Sequence, residues 1–342
     1  MTWLVWRQYR VQAAIAVGLL VAFAAVLIVS GVQMASQWHS ALITCTADHS
    51  CPTLVDSLSL GNHWADDLTF LSLAVPGVLG LFIGAPLVAS EVETGTGNFA
   101  WTQSVTRGSW LLAKGGWLLL AAAVWGACIA ALITWWSGPR NALYGNAFQF
   151  NVFDMQGIVP IGYAVFGVAL GIAAGALLRR TLPAIAVTLA AFVGVRVLVA
   201  EVFRAHYLTP VTTYSSLTSG WKPVSGSWIL GSGLVDKAGH AIAMNPNGVP
   251  EGVPVSALSG ACQKLIPTLH NGASLVQSGV ITRGLDDSRL AACVQSAGFR
   301  QFFTYQPVSR YWAFQSIETG IFLVLAAALV AIAFAAVTRH DA

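Results

Sequence analysis

The sequence predicts an all-α membrane protein with six transmembrane helices and a hydrophilic subdomain between the fifth and the sixth. Three observations carry that expectation. Only 9% of the residues are charged and 56% are apolar, whereas soluble domains carry roughly 25% charged residues; with a positive mean hydropathy, this composition cannot cover a water-facing surface. Six apolar runs reach the length of about 20 residues that crosses a hydrocarbon core about 30 Å thick. The one long hydrophilic block, residues 204–311, exceeds any ordinary connector.

The elements follow in order. Residues 1–10 contain Trp3, Trp6, Tyr9, Arg7 and Arg10, groups that seek the membrane interface, and read either as a short interfacial helix or as a plain flank. The first span, 11–32, outruns the apolar core of a signal peptide, about 7 to 15 residues, and no cleavage site follows it, so it is expected to remain as an anchor. The second and third spans are 68–90 and 110–136. The fourth and fifth, 157–178 and 183–203, are separated only by Arg179, Arg180, Thr181 and Leu182. That spacing implies a tight hairpin, with Pro183 opening the next helix where its missing N–H costs little. The sixth span is 312–337, followed by a short tail.

Lys and Arg set the orientation, because short cytoplasmic loops retain them. Arg7, Arg10, Arg107, Lys114, Arg179, Arg180 and Arg339 all fall on one side if the N-terminus is inside, while residues 33–67 hold no Lys or Arg and carry Asp48, Asp56, Asp66 and Asp67. Both termini are therefore expected in the cytoplasm, and residues 204–311 outside. The net charge of +3 is small, and no basic stripe or finger pattern suggests a nucleic-acid partner.

The cysteines sort by side. Cys128, within the third span, reads as a small packing residue. Cys45 and Cys51 share the first outer loop, and Cys262 and Cys293 share the outer block, so both pairs can form disulfides in an oxidising compartment. Cys45, His49 and Cys51 could also be read as metal ligands, but a fourth ligand is missing. Residues 255–269 and 285–297 look like short helices that a Cys262–Cys293 bridge would staple together. Gly167, Gly171 and Gly175 recur at four-residue spacing and lay a smooth stripe along the fourth span, suited to close helix packing within the chain or between two copies. Gly80 and Gly84 make a shorter stripe in the second span.

Charged residues within spans are costly, about 2.5 to 3.5 kcal/mol each on insertion scales, so Arg196 and Glu318 demand a reason. At 1.5 Å per residue both lie roughly 10 Å from the outer ends of the fifth and sixth spans. They are expected to pair, either to fix helix register or as a polar point on a substrate route, with Glu201 near enough to share the arginine. No catalytic constellation accompanies them: the sequence contains neither H-E-x-x-H nor G-x-S-x-G, and its seven histidines are scattered. No G-x-x-x-x-G-K-[ST] loop is present either, so the chain is not expected to be an enzyme or to hold a cofactor of its own. Gly95, Gly97 and Ala100 imitate a dinucleotide fingerprint, but no strand or βαβ unit surrounds them.

Three sequence blocks point to a family: MTWLVWRQYR at 1–10, GAPLVASEVETGT at 84–96 followed by AWTQSVTR at 100–107, and YQPVSRYWAFQSIE at 305–318. With the order of the spans, they make the chain resemble the ABC-2 type transporter permeases, in particular actinobacterial exporter subunits. The resemblance implies a permease in the bacterial plasma membrane, working as a dimer with two copies of a separate ATPase subunit that binds ATP and Mg. It implies export of a hydrophobic or amphiphilic compound such as a drug, antibiotic or lipid. Residues 91–109 would then be the loop that couples to the ATPase, with Glu91, Glu93, Thr94, Gly95, Thr96, Trp101 and Arg107 as its contact residues. Phe70, Phe82 and Phe192 would be candidates for lining a path along the second and fifth spans. A membrane sensor or immunity protein that binds a ligand through the outer block is the alternative.

Overall fold

The structure is a computed structural model that describes residues within 14–40, 72–93, 106–144, 147–219, 223–241, 253–266, 276–281 and 288–339. They form two compact units, one of residues 1–145, 149–207 and 311–342, the other of 146–148 and 208–310. Residues 1–10, expected as an interfacial helix, lie outside the described residues.

The first unit is helical. In chain order it contains α1 (Leu20–Gln37); α2, built of Val75–Leu79, a π turn Gly80–Gly84 and Ala85–Glu93; α3 (Arg107–Tyr144); the short α4 (Phe150–Phe153); α5 (Val159–Leu178); and α6 (Thr181–Leu198), which continues through a π turn Val199–Phe203 into a 3₁₀ turn Arg204–His206. The last helix of the unit follows the second unit and spans Tyr311–Thr338. Five of these helices are long and apolar enough to cross a membrane, against the six expected. The expected second span corresponds to the shorter apolar helix Val75–Glu91, and residues 68–71 of that expectation lie outside the described residues.

Helix α5 is the axis of this unit. It is apolar all round and buried along nearly its whole length, as a helix enclosed by others must be, and α2, α3, α6 and Tyr311–Thr338 all pack on it. The glycine stripe explains how α2 gets so close. A Cβ placed on Gly84 would stand 2.6 Å from the Val168 carbonyl oxygen, and one on Gly167 would stand 2.6 Å from that of Pro76. The two backbones therefore touch, and the stripe is consumed within the chain. Gly126 of α3 lets the Pro160 carbonyl approach in the same way, at 2.9 Å from an added Cβ. Leu87, Val88, Leu111, Val168, Ile172 and Ala333 fill the core between these helices. Leu27 of α1 joins Ile129, Ile133 and Trp136 of α3 in a second cluster, with Trp136 Nε1 donating to Ser30 Oγ at 3.1 Å.

The hairpin between α5 and α6 is as tight as its sequence implies. Arg179 adopts a left-handed conformation, its N–H bonded to the Gly175 carbonyl, and Arg180 is extended. Helix α6 begins at Thr181, so Pro183 sits inside the first turn, where its missing N–H is still harmless.

The second unit corrects the all-α expectation. It contains β1 (Val211–Ser215), β2 (Trp228–Val235), β3 (Val253–Pro254), α7 (Gly260–Leu265), β4 (Val276–Gln277), β5 (Val280–Ile281), α8 (Ser288–Ser296) and β6 (Arg300–Gln306); the closing helix Tyr311–Thr338 of the first unit is α9. One antiparallel sheet has the order β1-β6-β2, the other β3-β5-β4. Strands β1 and β6 are rich in Thr, Tyr, Phe and Val, the residues that suit a pleated surface. Cys262 and Cys293 are bonded, Cα to Cα 5.6 Å, and join α7 to α8, two helices close to the expected positions. Leu234, Val253, Leu258, Leu290, Val294 and Phe299 surround that bridge as the unit's core.

Candidate functional site

The buried charged residues described in the helical unit gather at two places. The larger group lies where α4, the end of α6 and the start of α9 meet around α5. Arg204 is the hub. Its Nε donates to Glu318 Oε2 at 2.8 Å and its Nη2 to Glu318 Oε1 at 2.7 Å, while Nη2 also reaches Asp154 Oδ1 at 2.5 Å. Arg196 donates through Nη2 to Asp154 Oδ2 at 3.0 Å and through Nη1 to the Leu73 carbonyl at 2.6 Å. Tyr163 of α5 donates to Glu318 Oε1 at 2.5 Å, and Tyr207 donates to Glu318 Oε2 at 3.2 Å. The guanidinium of Arg196 lies over the Tyr163 ring and that of Arg204 over Phe153, each 4.4 Å from the centroid.

Two arginines thus meet two carboxylates, with side chains 12% exposed or less. Buried charges survive only when paired and hydrogen-bonded, and each carboxylate oxygen here accepts at least one bond. The arrangement corrects the expected pairing of Arg196 with Glu318: Arg196 pairs with Asp154, and Glu318 pairs with Arg204. Glu201 is exposed on the π turn and stands outside the network.

The π turn explains why spacing misled. At about 100° per residue, the eight steps from Arg196 to Arg204 would leave the two side chains about 80° apart around a regular α-helix. A π turn accommodates one extra residue, so the phase becomes that of seven steps, within about 20° of a common face. Both guanidiniums then reach Asp154. Asp154 and Arg204 each fall just beyond an apolar run, where a charge is ordinary, which is why hydropathy alone passes over them.

Gln315 of α9 locks the neighbouring turn. Its Oε1 accepts from the N–H groups of Ile158 and Val159, at 3.0 and 2.9 Å, and its Nε2 donates to the Phe153 carbonyl at 2.9 Å. These are the orphan donors of the α5 N-terminus, supplied by a side chain from another helix. Gly157, at φ 71°, is needed there: a Cβ would stand 2.7 Å from Gln315 Oε1.

The smaller group lies at the opposite end of α2. Glu91 pairs with Lys114 of α3, which also sits 4.9 Å from the Trp110 ring. Exposed Glu93 accepts from Thr181, through the hydroxyl at 2.5 Å and the backbone N–H at 3.2 Å. These bonds hold the Glu93 carboxyl below its ordinary range. The two glutamates thus tie the end of α2 to α3 and to the start of α6. Arg107 opens α3, whereas Thr94, Gly95, Thr96 and Trp101 lie outside the described residues.

The remaining candidates separate. Phe82 is exposed on the π turn of α2. Phe192 is buried, its ring 6.1 Å from that of Phe166 and against Gly77, a core position. Phe70, Cys45 and Cys51 lie outside the described residues. Cys128 is exposed on α3, so it does not pack inside the bundle as expected. Among the described residues no group of His, Cys, Asp and Glu could hold a metal ion.

No curated protein and no solved structure matches the chain. The family model of ABC-2 membrane transporter related proteins matches residues 17–204, more than half of the 342-residue chain and the segment that holds α1 to α6. With its apolar helices packed around α5, the chain is a multi-pass membrane protein that belongs to the ABC-2 membrane transporter related family.

Proposed function

We infer that this chain is the membrane-spanning subunit of an ATP-driven exporter of hydrophobic or amphiphilic compounds, powered by a separate ATPase. The observation that carries the reading is the family match over residues 17–204, the part of the chain that builds the helical bundle. The anchored end of α2 supports the place of coupling: Glu91 and Glu93 fasten the stem of residues 94–105 to α3 and α6, so a push on that segment would reach two other helices directly. Both termini and the α5–α6 hairpin lie in the cytoplasm in this reading, because Arg179 and Arg180 fill the hairpin. The 208–310 unit lies outside, where its disulfide is stable. Two copies of the chain and two ATPase subunits make up the transporter, and ATP supplies different affinities for its inward and outward states.

The test is purification from native membranes in mild detergent, followed by an ATPase assay on wild type and Glu93→Ala. A stoichiometric ATPase partner, with recovery or activity reduced by the substitution, is expected. Purification of the chain alone under several gentle conditions would remove the energy source and overturn the reading.

A further inference from the structure

The π turn Val199–Phe203 aligns Arg196 with Arg204 only as long as its surplus residue stays in the turn. A π turn contains one residue more than the α-helical path needs. If that residue is absorbed into regular helix, everything beyond it rotates by about 100°. Arg204 would then swing off Glu318 and Asp154, and Tyr207 off Glu318, while Arg196, which precedes the turn, would keep Asp154 and the Leu73 carbonyl. Such a rotation would leave one neutral pair, Arg196 with Asp154. Glu318 would retain the Tyr163 hydroxyl as donor.

The surroundings permit this motion. Glu201, Val202 and Phe203, the part of the turn that would move, are exposed, between Val199, buried at the start of the turn, and Arg204, buried just after it. The 3₁₀ turn that follows, Arg204–His206, is short and ends within the unit at Tyr207. Beyond the turn the present state is held by the Arg204 bonds, by the Tyr207 bond to Glu318 Oε2 and by the Tyr207 ring against Phe314 of α9.

We propose that the π turn of α6 and the Arg204–Glu318 bond form a latch, closed in this structure, that opens by conversion of the π turn to α-helix and frees the end of α6 from α9. The latch as a part of the transport cycle rests on the exporter reading; the latch as a conformational equilibrium does not.

The discriminating variant is deletion of Val202, written ΔVal202. Loss of one residue removes the surplus and lets regular α-helix keep Arg204 in phase with Arg196, so the tetrad survives but the switch is gone. A fluorinated phenylalanine at position 203 reports the turn by ¹⁹F NMR on the full chain in lipid nanodiscs. Expected are two exchanging resonances in Glu318→Gln, where the latch is weakened, with the second minor in wild type and absent from ΔVal202. A single unshifted resonance in both wild type and Glu318→Gln overturns the latch, whatever the fate of the exporter reading. With an ATPase partner in hand, ΔVal202 is expected to keep the melting midpoint of wild type and lose transport about tenfold or more, the effect of roughly 1.4 kcal/mol on the rate-limiting step. Full transport by a ΔVal202 chain that melts like wild type overturns the role in the cycle.

Discussion

Neutralising Glu318 tests the connectivity of the charge cluster most directly. Glutamine at this position preserves volume and one acceptor, so Arg204 Nη2 and the Tyr163 hydroxyl can still be met. The other end of the amide carries hydrogens, which would face Arg204 Nε and the Tyr207 hydroxyl, both of them donors to Glu318 Oε2. The cluster would also be left with two arginines and one carboxylate. Removing one partner of a buried pair costs about 3 to 5 kcal/mol, and these groups are too well buried for solvent to soften the loss. Replacing Arg204 by Met together with Glu318 by Leu leaves Arg196 and Asp154 as an intact neutral pair, at a cost expected to stay under about 2 kcal/mol because removal of both partners is often near neutral. The coupling energy of this cycle is then several kcal/mol. The pair Arg196→Met with Glu318→Leu also restores neutrality, through Arg204 and Asp154. It strands Arg204 Nε and the Leu73 carbonyl, and is expected to recover less. Reversible unfolding in lipid nanodiscs, read by a double-mutant cycle for each pair, gives the ranking. Better recovery with Arg196 than with Arg204 as the second site would refute the bonding described here.

Three further outcomes are expected. Gly84→Ala places a methyl carbon 2.6 Å from the Val168 carbonyl and should cost about 1 to 3 kcal/mol through overpacking, while Gly116→Ala, which meets open space, should be neutral or slightly stabilising; thermal unfolding of the two variants side by side checks the contrast. Gln315→Leu leaves the Ile158 and Val159 N–H groups and the Phe153 carbonyl without their partner and should lower stability by about 2 kcal/mol or more, read in the same assay. The Glu93 carboxyl is held below its ordinary range by Thr181, so the tie between α2 and α6 is fully present above the unfolded glutamate value, about 4.3, and is lost only as pH falls through the lower folded value. Protection of the Thr181 amide, the ratio of intrinsic to observed exchange at each pH, should therefore hold down to that range and then fall, and Glu93→Ala should abolish the pH step.

What the sequence determined by itself is everything that depends on composition and local period. Runs of about 20 apolar residues must cross a membrane or be wholly enclosed, so the helices at 110–136, 157–178, 183–203 and 312–337 could be assigned from composition. The glycines at 167, 171 and 175 share a face by α-helical period alone, and Cys262 and Cys293 could be expected to bridge two short helices. The charged site was only half legible. Arg196 and Glu318 stood out because each is a charge in an apolar run. Their true partners, Asp154 and Arg204, sit just outside such runs, where a charge needs no explanation.

Only the tertiary structure decided the pairing, because pairing depends on phase and on which helices touch. One surplus residue in the π turn moves Arg204 by about 100°, and regular spacing cannot anticipate it. The same holds for Gln315, whose bonds to Ile158 and Val159 join positions far apart in the chain, and for the strands at 211–215 and 300–306, which become a sheet only when they meet. Hydropathy is summed residue by residue and survives in the sequence; hydrogen-bond partners are set by three-dimensional approach and do not.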